Sequence, residues 1–453
     1  MKVLFLAPQP FYVDRGTPID TDILVRALSE RGDEVDLVCF HEGSPRAYPG
    51  LSIHRIRAPR RWRLGPGFSL KKLACDALLA VEAWRRIRRG RYDVIHASEE
   101  AVFIALLFRV LFGIPYVYDM DSSIAQQMVE QQPWLRPVAP FLDACEAVAI
   151  RFALAVAPVC TALAELARRR GAQHVVTLHD ISQLPDAPRE ATGELRAKLG
   201  IEGLVLMYVG NLEPYQGIDL LLEGFARARR RCATMDLVVA GGTSQHIARY
   251  REKARSLGIG RHVHFLGAWP AERLSELLAE ADILTAPRIS GINTPMKIFP
   301  YLHAGKPLLV TDLPTHTQLL DASVAHLAPA DPAGFAEGIV ALCENAGLRR
   351  RLGRAGHRFV QANHTFEAHR GRVDRLYEGI RARTRTGRGL APRRRSMMWL
   401  PPLVGAQILE ASGTGLGPSD PEGCAAGIVV LGVCGAIRTA AAAGSSARAA
   451  RAR

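Results

Sequence analysis

The 453-residue chain is too long for one ordinary core, and its 48% apolar and 23% charged residues are a globular balance, so two domains are the starting expectation. A formal charge of +14 points to anionic partners such as nucleic acid, lipid surfaces or phosphorylated metabolites, with dense patches at "RIRAPRRWR" and "RRIRRGR". The eight cysteines stand singly, which excludes zinc spacing and fits a reduced, cytoplasmic setting.

The chain opens on "KVLFLAP", an apolar run too short for a signal peptide, which reads as a buried first strand. "TDILVRALSERG" follows as a helix closed by Gly32, then "EVDLVCF" as a strand. "YDVIHAS" and "PYVYDMD" flank the helical "EEAVFIALLFRVLFG". The longest apolar stretches are interrupted by Arg109 and Arg151, so no transmembrane helix is expected. The alternation restarts with "LVLMYVG", "MDLVVAGG", "HVHFLG", "DILTAP", "PLLVTD" and "AHLAP", separated by helices. Apolar strands alternating with helices predict two doubly wound parallel sheets, joined near "TLHDISQLPDAPRE". The expected division is an N-terminal unit over 1–185, a second over 186–384 closed by the helix at 366–383, and a disordered tail over 385–453 rich in Ala, Gly, Pro and Arg.

In open parallel sheets, ligands sit at the carboxyl ends of the strands. After the first strand, Gly16 and Thr17 precede a helix and offer backbone N–H groups. After the first strand of the second unit come Asn211, Glu213, Tyr215 and Gln216. After "DILTAP" come Arg288, Asn293, Thr294 and Lys297, with Thr294 placed to cap a helix starting at Pro295. Pro300 would then lie inside that helix, at a cost of about 3 kcal/mol unless the helix bends. "YDMDSS" holds Asp119 and Asp121 at the spacing of a metal-binding DxD, but it follows a strand deep in the first unit, so no metal is expected there. A carboxylate in that loop can accept a hydroxyl proton or stabilise developing positive charge. A loop-capping role for both aspartates is the structural alternative; His96 reads as a structural histidine, with lining of the same cleft as its alternative, and His179 reads as structural.

The run "YVGNLEPYQGIDLLL…VVAGG…VHFLG…ADILTAPR…NTPMKIFPYLHAGKPLLVTD" resembles glycosyltransferase family 4, the retaining GT-B enzymes, and the resemblance covers roughly residues 1–383. It implies two Rossmann-like domains facing a cleft. It also implies a nucleotide-sugar donor held mainly by the second, an acceptor held by the first, and no metal or cofactor. The family's spaced pair of glutamates falls on Ile292 and Pro300 here, and its diphosphate-gripping Arg and Lys fall on Asn211 and Gln216. A branch with a TPxK motif carries a lysine where Lys297 stands, so the resemblance shifts phosphate neutralisation to Lys297, with Arg288 as helper. A histidine often found near the anomeric centre is replaced by Asp121. The implied activity is sugar transfer to a saccharide or lipid-linked acceptor at the inner face of an anionic membrane, with no nucleic-acid partner. The alternatives are a GT-B-like sugar-nucleotide epimerase and a non-catalytic nucleotide-sugar or glycan binder.

Overall fold

The structure is a computed structural model and describes residues 1–13, 16–59, 62, 69–185 and 189–385. The expected tail and the basic residues Arg60, Arg61 and Arg63 lie outside them. The chain divides into two compact units, one formed by Met1–Val159, Leu163–Leu178 and the segment from Arg372, the other by Cys160–Ala162 and His179–Gly371.

In the first unit the strands are β1 (Lys2–Ala7), β2 (Glu34–Cys39), β3 (Leu51–Arg55), β4 (Val94–Ser98), β5 (Tyr116–Met120) and β6 (Ala155–Pro158). The helices between them are α1 (Gly16–Glu30), α2 (Leu70–Arg89), α3 (Ala101–Phe112), α4 (Ile124–Gln131), α5 (Ala139–Phe152) and, after β6, α6 (Thr161–Arg169). All six strands run parallel in the order β3-β2-β1-β4-β5-β6. β1 and β4 are buried along nearly their whole length because helices cover both faces, which is why their sequences are continuously apolar. Ser69 caps α2 by accepting the Lys72 N–H at 3.2 Å, and Gly113, with φ 73°, closes α3 by donating to Arg109 O.

The second unit repeats the plan. Its helices start with α7 (Glu194–Leu199), and its strands are β7 (Val205–Val209), β8 (Asp236–Ala240), β9 (Val263–Gly267), β10 (Ile283–Ala286), β11 (Leu308–Thr311) and β12 (His326–Ala328). The sheet order is β12-β11-β10-β7-β8-β9. The covering helices are α8 (Ile218–Ala228), α9 (Ser244–Ser256), α10 (Leu274–Ala279), α11 (Ile298–His303), α12 (Pro314–Thr317), α13 (Pro332–Glu344) and α14 (Ala346–Asn363). Two apolar cores form, one on each sheet face. In each unit the chain winds outward in both directions from a switch point, between β1 and β4 in the first and between β7 and β10 in the second, and ligand crevices form at such points.

Two expectations need correction. The last helix, α15 (Phe366–Arg385), does not simply close the second unit. From Arg372 it belongs to the first, where Val373, Leu376, Tyr377 and Ile380 form a buried stripe at helical spacing. The helix expected from Pro295 begins at Ile298, with Lys297 in the cap position and no side-chain cap, so Thr294 is not its N-cap. This later start removes the difficulty with Pro300. It is the third helical residue, where an amide has no partner within the helix, and Met296 O is already taken by the Phe299 N–H at 3.3 Å. The expected 3 kcal/mol penalty for an interior proline therefore does not arise.

Candidate functional site

In the second unit the switch point gathers Asn211, Gln216, Arg288 and Lys297. Lys297 looks exposed in the sequence but is half-buried. Its Nζ donates to Tyr208 Oη at 2.7 Å and to Gln216 Oε1 at 2.9 Å, and lies 4.1 Å from the Tyr208 ring centre. No carboxylate among the described residues lies within ion-pair distance. Burial, then the Arg288 charge, holds the ammonium well below the usual lysine range. A cation with only neutral partners is a group that an anion would satisfy. Gly210 leaves room for it: with φ 153°, its backbone passes so close that an added Cβ would sit 2.5 Å from Lys297 Nζ. Tyr208 Oη in turn donates to Asn211 O at 2.6 Å. Val209, the last residue of β7, donates its N–H to Tyr301 Oη at 2.6 Å, so α11 is pinned to the strand end.

Arg288 has a different job. Its Nε donates to Ser290 O at 2.7 Å, Nη1 to Asn293 O at 3.2 Å and Nη2 to Asn293 Oδ1 at 2.9 Å, while its guanidinium stacks 5.3 Å from the Tyr215 ring centre. It folds the loop that carries Asn293 and buried Thr294. Thr315 Oγ1 and Gln318 Nε2 staple the same loop through Asn293 O (2.8 Å) and Ile292 O (2.7 Å). Asn211 faces Tyr215, with Nδ2 3.4 Å from Tyr215 Oη.

In the first unit the strand ends carry acids. Gly16 and Thr17 form the first turn of α1, and Asp20, one turn further on, points inward. Asp20, Asp119 and Asp121 bring carboxylate oxygens within 4.8 Å of one another. Proximity of acids alone assigns no metal. Asp119 Oδ2 accepts from Ser98 Oγ at 3.0 Å and lies 3.5 Å from His96 Nε2. The loop after β5 is locked by Glu146, fully buried, which accepts from Tyr118 Oη (3.2 Å), Ser123 Oγ (2.8 Å) and the Ile124 N–H (3.0 Å) and pairs with Arg170.

Sequence reasoning overlooked Glu99. It follows β4 with φ 48°, a backbone region unusual for glutamate, and its carboxylate accepts from Ser122 Oγ at 3.0 Å. Burial, then the neighbouring Glu100, pushes its carboxyl up to about 8. Its place directly after a strand adjoining the switch point was the available signal. His96, read as structural, is fully buried, with Nε2 3.5 Å from Asp119 Oδ2.

Residues 16–199 match the family described as "Glycosyl transferase 4-like domain", and residues 203–345 match "Glycosyl transferases group 1". The chain belongs to this glycosyltransferase family. A phosphatidyl-myo-inositol mannosyltransferase of Mycobacterium tuberculosis is 23% identical over 403 residues, covering 84% of the glycosyltransferase chain and 97% of the relative. A sucrose-phosphate synthase of Thermosynechococcus elongatus superposes with a TM-score of 0.69 at 18% identity, covering 84% and 99% of the two chains. Anabaena HepE, solved with UDP-glucose, superposes with a TM-score of 0.63 at 17% identity, covering 83% and 99%. These likenesses establish the GT-B fold of the glycosyltransferase. Among its described residues no helix is long and apolar enough to cross a membrane.

Proposed function

We propose that this glycosyltransferase moves a hexose from a nucleotide-sugar to a hydroxyl of a lipid-linked or polymeric saccharide, with retention of anomeric configuration. The observation that carries the reading is Lys297, a half-buried ammonium with only neutral partners among the described residues, at the β7 and β10 ends. A diphosphate supplies the missing negative charge and replaces lost solvation with charge-assisted hydrogen bonds. In the second unit, Asn211, Gln216 and the Arg288-folded loop with Asn293 and Thr294 complete the donor side; in the first, the turn at Gly16 and Thr17 offers N–H groups to an anion. Asp119 and Asp121 are the transfer carboxylates, one to take the acceptor proton and one to stabilise positive charge on the sugar. The reading requires no metal, cofactor or nucleic acid. The relative that acts on a phosphatidylinositol and the neighbour solved with UDP-glucose support the substrate classes.

Contact with the inner face of an anionic membrane belongs to the same reading. α2 and α3 expose Val81, Trp84, Val110 and Leu111, with Arg85, Arg88 and Arg89 alongside. Apolar side chains ringed by arginine suit an anionic lipid surface. The test is incubation with a panel of nucleotide-sugars, with and without extracted lipid and saccharide acceptors. A glycosylated product of unchanged anomeric configuration, formed only with acceptor, is expected. An epimerised nucleotide-sugar formed without acceptor, or binding with no turnover, overturns the reading.

A further inference from the structure

His96 lies in β4 with its ring stacked on Phe5, centroids 4.7 Å apart, and parallel to Tyr377 of α15 at 6.1 Å and 6°. Phe5 stacks on the ring and the Tyr377 hydroxyl meets its Nδ1 edge, so its neighbours decide which nitrogen carries the proton. Tyr377 Oη lies 2.9 Å from His96 Nδ1 and has no other hydrogen-bond partner among the described residues. Burial first, then the charges of Asp33 and Asp119, holds the Tyr377 hydroxyl well above the usual tyrosine range, so it keeps its proton. If Nδ1 carried the ring proton, the hydroxyl would accept it and leave its own hydrogen buried without an acceptor, at a cost. With Nδ1 as acceptor, both groups are satisfied.

The other edge selects the same form. His96 Nε2 is buried, makes no hydrogen bond and faces Asp119 Oδ2 at 3.5 Å, beyond hydrogen-bond length. A bare lone pair on Nε2 would face carboxylate oxygen and be repelled, whereas an N–H is attracted. Catalytic hydrogen bonds are often long without substrate and tighten during reaction. Tyr377 is itself anchored: Arg31 lies 5.6 Å over its ring and pairs with Asp374 of the same helix at 3.0 Å.

We propose that Tyr377 is a positioning residue that fixes His96 as its Nε2–H tautomer and thereby holds a proton aimed at the Asp119 carboxylate during transfer. The proposal rests on reading Asp119 as a transfer carboxylate. Its test uses the full chain with 15N-labelled histidine, the His96 signals being assigned by their loss in His96→Phe. The parent shows the Nε2–H tautomer. Tyr377→Phe, which removes only the hydroxyl, gives mixed tautomers, with kcat lower by roughly fivefold to twentyfold and donor KM nearly unchanged. An Nδ1–H tautomer in the parent overturns the proposal even if Tyr377→Phe fails to fold. So does a folded Tyr377→Phe with parental kcat. Asp119→Asn separates the two readings: if it is inactive while Tyr377→Phe turns over like the parent, only the positioning role falls. If Asp119→Asn turns over like the parent, the carboxylate assignment falls, and the proposal with it.

Discussion

The two units share one plan and carry opposite charge at corresponding places. At the strand ends of the second unit, an ammonium leans on a phenol and an amide, with no acid within ion-pair distance among the described residues. At those of the first, Asp20, Asp119 and Asp121 crowd together, Glu99 feels the Asp119 charge, and buried His96 lies 3.5 Å from Asp119. One topology thus makes either kind of site, because the sheet supplies only the position and the loop residues supply the chemistry. Under the proposed function, the lysine side acts on binding and the acidic side on turnover.

The sharpest way to break that comparison is Asp121→Asn. Loss of a transfer carboxylate is expected to lower kcat by about a hundredfold or more while affinity for the nucleotide-sugar donor, read by calorimetry, stays within a few fold. Equal losses in affinity and kcat would erase the division of labour.

Lys297→Met keeps the apolar stem and removes the charge. Donor affinity is expected to fall by roughly tenfold to a hundredfold, about 1.5–3 kcal/mol. Lys306→Met serves as the reference, because Lys306 Nζ is occupied by Ala279 O at 2.7 Å and should cost less. Parental donor binding by Lys297→Met would send the phosphate assignment elsewhere.

Gly210→Ala sharpens the same point without touching a charge. Its Cβ collides with Lys297 Nζ, and its backbone lies where side chains are strained, so a destabilisation of roughly 1–3 kcal/mol and weaker donor binding are expected in denaturant melts and calorimetry.

The smallest effects are in pH dependence, and the two units should differ in sign. Lys297 is depressed in the folded protein, so the unfolded chain binds more protons and this group's contribution to stability rises with pH up to the ordinary lysine range. A diphosphate favours the charged form. Binding of the nucleotide-diphosphate donor should therefore take up protons, seen as a buffer-dependent calorimetric enthalpy that vanishes in Lys297→Met. Glu99 is raised to about 8, so the folded state holds its proton where the unfolded state has lost it. Its contribution falls as pH rises from the ordinary carboxylate range to about 8, and Glu99→Gln should flatten that part of the stability profile.

Part of the candidate site in the second unit was legible in the sequence. Asn211, Gln216 and Lys297 follow strands whose apolar runs mark them as central, and Lys297 Nζ does donate to Gln216 Oε1. Arg288 was legible as a neighbour of the site but not as the residue that folds its loop, because carbonyl groups of Ser290 and Asn293 leave no compositional trace. Glu99 was missed because neither its left-handed backbone nor its raised carboxyl is visible until β4 and β5 lie side by side.

The sequence by itself determined the two parallel sheets and their helices, since hydrophobic periodicity acts over neighbouring residues and each strand's burial is written in its own composition. It also determined which polar residues follow each strand. Only the tertiary structure decided that Pro300 falls in a first turn and that Lys297 has no acid within ion-pair distance among the described residues. Only it decided that Tyr377 meets His96 across 281 residues of chain. Such pairings depend on where packing brings distant segments together, and no local pattern encodes that meeting.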